Sequence, residues 1–87
     1  MTEVLAFLAL FDCHPVYSLV TDPALVRVAE QRGPVVRLRS ADPAVLVHEL
    51  WHVCQEQALG LAETQEESAR REAEARKVEL IWRQHAD

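Results

Sequence analysis

Apolar positions recur at helical spacing near the start of the chain and again through its second half, with short stretches of strand-like sequence between. Val4, Leu5, Phe7, Leu8, Leu10 and Phe11 predict a first helix over Glu3–Phe11, capped by Thr2 and apolar around nearly its whole circumference, hence largely buried. Asp12-Cys13-His14-Pro15 ends it, because a residue before proline is pushed out of the helical region. Val16–Val20 is short, β-branched and aromatic, which predicts a strand. Asp22-Pro23 reads as a helix start and Gly33-Pro34 as a stop, so a second helix is expected through Arg32. In Val35–Arg39 partial alternation sets Val36 and Leu38 on one face of a strand, with Val35, Arg37 and Arg39 on a wet face.

The second half is more strongly marked. Asp42-Pro43 opens a helix that runs to a glycine cap at Gly60. After a short turn, Thr64 and Glu67 form a capping box and launch a long polar helix over about residues 65–84. Along it Glu66/Arg70, Glu67/Arg71, Glu72/Arg76 and Glu79/Arg83 stand at i,i+4 with the acid first, the stabilising order. The expectation is a mostly helical α+β fold, with a two-stranded sheet and an antiparallel helical hairpin.

Eighty-seven residues make one domain, 1–87, whose small core would benefit from a metal or from self-association as a homo-oligomer. With 49 % hydrophobic and 26 % charged residues the chain has globular composition. A net charge of −5 without a basic patch argues against a nucleic-acid groove or an anionic membrane surface. The apolar run Val4–Phe11 is far shorter than the roughly 20 residues of a membrane span and lacks the features of a secretory leader, so a cytoplasmic protein is expected. Cys13 and Cys54, without C-x-x-C spacing, are expected as reduced, mostly buried thiols.

One stretch carries chemistry. His48-Glu49-Leu50-Trp51-His52 reads H-E-x-x-H, in which two imidazoles one helical turn apart bind a metal and the glutamate acts on water. Residues i and i+4 lie about 40° apart around a helix, so both rings can reach one ion. Zinc favours such nitrogen donors in a tetrahedral shell, and a catalytic site takes three protein ligands. The apolar residues around the motif, Val45, Leu46, Val47, Leu50, Trp51 and Val53, suit a helix that runs through a core.

A third ligand follows from the hairpin. His52 is eight residues before Gly60 and Glu72 eight after Thr64. At about 1.5 Å per residue each lies roughly 12 Å from the turn, which sets Glu72 level with His52. Glu74 competes on height. If Ala69, Ala73 and Leu80 form the stripe facing the metal helix, however, Glu72 flanks that stripe and Glu74 points nearly opposite.

The motif with Glu72 twenty residues downstream resembles the gluzincin class of zinc metallopeptidases, and in size the chain is similar to the minigluzincins. Arg71-Glu72-Ala73-Glu74-Ala75 also looks like the E-x-E-A-D segment of membrane-associated gluzincins, although Arg76 stands where that pattern has Asp. The resemblance covers about Pro34–Leu80 and implies a small zincin-like domain with Zn²⁺ on His48, His52 and Glu72. It implies a peptide or protein substrate laid along an edge strand, a role that would fall on Val35–Arg39. In the implied chemistry zinc activates a water and polarises the scissile carbonyl, while Glu49 takes the water proton and passes it to the leaving amine. Tyr17, His14 and His85 are the candidate oxyanion donors, and no spacing favours one of them.

Two other readings stay open from the sequence. A non-enzymatic helical interaction module would dock a partner through the charged helix and an exposed Ile81/Trp82, unless Val78, Ile81 and Trp82 pack on the first helix. A structural zinc site would be closed by Cys54 or Cys13-His14. The short chain also suits a latent or degenerate enzyme.

Overall fold

The computed structural model describes residues 2–86. Its elements are α1 (Thr2–Ala9), β1 (Ser18–Thr21), β2 (Ala29–Arg32), β3 (Val35–Leu38), α2 (Pro43–Leu59) and α3 (Gln65–Ala86). The α+β class is as expected, and three strands form the sheet where two were foreseen.

α1 buries one face only. Val4, Phe7 and Leu8 enter the core, whereas Leu5, Leu10 and Phe11 are exposed, and the helix gives way to a turn at Leu10. The side chain of Thr2, expected as its cap, lies outside the described residues.

The segment expected as a second helix is a turn followed by a strand. Asp22 does cap locally: its Oδ1 accepts from the N–H of Ala24 at 3.0 Å. The chain does not propagate the helix, because Ala29–Arg32 pairs antiparallel with β3, from Ala29 opposite Leu38 to Arg32 opposite Val35. Gly33-Pro34 is the two-residue link of that hairpin, and Gly33 at φ 55 takes the left-handed conformation that such a tight link demands. Long-range contacts secure β2. Glu30 approaches Arg37 across the strands at 4.0 Å, and Gln31 Nε2 donates to Glu56 Oε2 of α2 at 2.8 Å.

β3 lies in the middle of the sheet, parallel to β1 and antiparallel to β2. Its alternation is as read from the sequence, with Val36 and Leu38 buried and Arg37 exposed. Paired on both sides, however, Val35–Leu38 has no open edge for a peptide; the open edges belong to β1 and β2.

Asp42 caps α2, its Oδ1 accepting from Ala44 N–H at 3.0 Å, and Gly60 closes it at φ 77 with its N–H on Glu56 O. Thr64 Oγ1 accepts from Glu67 N–H at 3.0 Å, while Glu67 reaches back to the N–H of Glu63. The ion pairs Glu67–Arg71, Glu72–Arg76 and Glu79–Arg83 form along α3. α2 crosses the centre of the molecule, and its Leu46, Val47, Leu50 and Val53 are almost fully buried between the sheet, α1 and α3.

α3 meets this core through Arg71, Ala75, Val78 and Trp82, not through Ala69, Ala73 and Leu80, which point to solvent. Residues 71, 75, 78 and 82 recur at three- and four-residue intervals and so share one face. Arg71 Nη1 donates to Gly60 O at 2.7 Å, tying the start of α3 to the end of α2. Trp82 packs edge-on against Phe7 at 5.2 Å and is buried, so it is no exposed docking anchor.

Candidate metal centre

Glycine at the end of α2 and threonine at the start of α3 set the register of the hairpin, and that register brings the two histidines to Glu72. His48 Nε2 lies 2.9 Å from Glu72 Oε1, and His52 Nε2 lies 3.0 Å from Glu72 Oε2. Two imidazoles one turn apart thus share one carboxylate, with ring centroids 5.0 Å apart. One donor atom from each of the three residues lies within 4.8 Å of the others, a grouping able to hold a metal ion.

The remaining ring nitrogens also meet acceptors. His48 Nδ1 is 2.9 Å from Glu79 Oε1, and His52 Nδ1 is 2.8 Å from Gln55 Oε1. The Gln55 amide cannot be turned to reverse this, because its Nε2 already donates to Arg71 O at 3.0 Å and to Glu74 Oε1 at 3.2 Å. Four acceptors therefore face two rings, while two neutral imidazoles own only two N–H donors. Gln55 Oε1 takes the Nδ1–H of His52, and both nitrogens of His48 face carboxylates, so with neutral rings two of the four contacts lack a proton. Such a pair of contacts calls for positive charge between them, from protons or from a cation.

Two imidazole nitrogens and a carboxylate are a donor set that a divalent metal ion takes, and the nitrogen–oxygen separations are within a few tenths of an ångström of the roughly 3.3 Å between neighbouring ligands of a tetrahedral shell. Outer partners that hold Nδ1–H and present Nε2 are what metal-binding histidines ordinarily have. Glu79 fills this place for His48. Glu72 and Glu79 are seven apart on α3, and that spacing was the available signal in the sequence.

Glu49 is partly buried and close enough to His48, His52, Glu72 and Glu79 to feel their charge, but it lines neither depression bordered by the donors. Burial pushes its carboxyl above the usual value, the two histidines pull it back, and Glu72 and Glu79 raise it further. For Glu72 burial also raises the value, but His48 and His52, with Arg76 and the His52 hydrogen bond, outweigh it and hold the carboxyl low.

Glu74 does not point away from α2. It accepts from Trp51 Nε1 at 2.7 Å and from Gln55, on the opposite flank of the helical interface from Glu72. His14 pairs with Asp12, His85 stacks against Phe7, and Tyr17 packs on the core; none of the three lines the depressions beside the donors.

Cys13 and Cys54 are not free thiols. They form a disulfide with Cα atoms 5.7 Å apart, so neither closes a cysteine-containing zinc site. No protein-family model, curated protein or solved structure matches the chain. Among the described residues no helix is long and apolar enough to cross a membrane.

Proposed function

We propose that this chain is a small zinc-dependent, gluzincin-like peptidase, with His48, His52 and Glu72 as ligands and Glu49 as general base. The observation that carries the reading is the set of four acceptors around two imidazoles, an arrangement that a cation at the Nε2 atoms would complete. Zinc held there would supply Lewis-acid polarisation of a carbonyl and a water of lowered pKa. Glu49 accepts the proton from the attacking water and returns it to the leaving amine. Glu79 and Gln55 keep the rings oriented.

The substrate strand is assigned to β2 instead of Val35–Arg39. Its Gln31 lines a depression of about 180 Å³ together with His52 and Glu72, so an extended peptide added to the open edge of β2 runs toward the donors. The disulfide supports work in an oxidising compartment, against the cytoplasmic expectation.

Elemental analysis of the purified protein tests the reading. About one zinc per chain is expected, lost in His48→Ala and kept in Glu49→Gln, which no longer hydrolyses peptides. Protein that takes up no metal, or an active Glu49→Gln, overturns it.

A further inference from the structure

The donors separate two depressions. His52 and Glu72 border the one beside β2, and His48 and Glu72 border a larger one of about 480 Å³ on the far side. The larger is completed by Arg76, Glu79, Leu80 and Arg83. A substrate chain crossing the donors from β2 would enter it with the residues beyond the scissile bond.

We propose that this second depression is a subsite for a carboxylate, borne by the substrate's C-terminus or by an acidic side chain, and held by Arg76 and Arg83. The inference rests on the zinc reading above. Arg76 has its Nε 3.3 Å from Glu72 Oε1, its side chain is 75 % exposed, and its terminal nitrogens make no hydrogen bond among the described residues. Arg83 spends Nε and Nη2 on Glu79 Oε2, which leaves Nη1. The two guanidinium groups come from residues seven apart, two turns of one helix, so both edge the same depression. Leu80 offers an apolar wall between them.

The lining itself is balanced, Arg76 and Arg83 against Glu72 and Glu79, and a divalent ion on Glu72 would make the depression net positive. A guanidinium fork accepts a carboxylate bidentately, which fixes orientation as well as adding affinity.

The test uses the zinc-loaded Glu49→Gln protein in zinc-buffered solution, so that nothing is hydrolysed and every variant stays loaded. Three probes are titrated by calorimetry: acetyl-tetraalanine with a free carboxylate, its amide, and that amide with one alanine replaced by glutamate. At least one anionic probe should bind about tenfold or more tighter than the neutral amide, the size of one lost charge-assisted contact. That preference should vanish in Arg76→Gln/Arg83→Gln, with zinc content unchanged. Tighter binding of the free acid names the C-terminus as the source, and of the glutamate peptide a side chain. Equal binding of all three, or a preference that survives loss of both arginines, overturns the subsite. Absence of zinc from the parent protein instead overturns the reading beneath it.

Discussion

Replacing both Cys13 and Cys54 with alanine should remove a large share of the stability of the fold. The bridge spans a sequence separation of 41 residues, joining the segment after α1 to α2. Closing a loop of that length lowers the entropy of the unfolded chain by an amount worth about 4 kcal/mol at 25 °C. A domain of 87 residues has about 4–13 kcal/mol in total, at roughly 0.05–0.15 kcal/mol per residue. The variant should therefore lie close to the edge of folding, with a melting temperature lower by about 15–30 °C at roughly 4–8 °C per kcal/mol. Urea unfolding of the wild type and the double variant, each with and without a phosphine reductant, measures this. The reductant should bring the wild type down to the variant and leave the variant unmoved. A loss below about 1 kcal/mol would refute the reasoning, since residual structure in the unfolded chain trims the loop term without erasing it.

Three further outcomes follow from the site and its helix. Glu79→Ala should weaken zinc binding about 10- to 100-fold in chelator competition while the fold persists, because it removes the carboxylate that orients His48 at 2.9 Å. Leu50→Ala should cost about 2–5 kcal/mol in urea unfolding, since Leu50 is fully buried between the motif's two histidines in sequence. Asp42→Ala should cost about 1 kcal/mol by loss of the cap on Ala44 N–H, with zinc stoichiometry unchanged.

What the sequence made legible was written in local signals. Asp42-Pro43, Gly60 and the Thr64/Glu67 box bound two helices, and the structure uses each of them as cap or stop. Val36 and Leu38 alternate because one face of β3 rests on the core. Asp22-Pro23 and Gly33-Pro34 misled because the same dipeptides bound a helix or a turn-and-hairpin. What decides between these is pairing with β3 and the reach of Gln31 to Glu56, neither of which is local. The disulfide was hidden for a similar reason: residues 13 and 54 meet only after α1 has docked on α2.

Glu72 reaches the two histidines as its height on the hairpin predicts, although the facing expected for it differs. The heights agree because helical rise is nearly the same on both arms and Gly60 and Thr64 fix the origin. The facing differs: in place of the small residues Ala69 and Ala73, the helices meet through Arg71, Ala75, Val78 and Trp82. Arg71 belongs there because its guanidinium bonds the exposed carbonyl of Gly60, and a charged residue would not be picked for an interior stripe on polarity alone. Once that stripe is the reference, Glu72 and Glu74 lie on opposite flanks of one interface. Glu72 turns to the histidines, and Glu74 turns to Trp51 and Gln55. The two carboxylates are then complementary rather than rival: one meets both Nε2 atoms directly, and the other fixes the amide of Gln55 so that its oxygen can only face His52 Nδ1. That division of labour is why all four ring nitrogens end on acceptors, and it ties the metal reading to the packing of the hairpin itself.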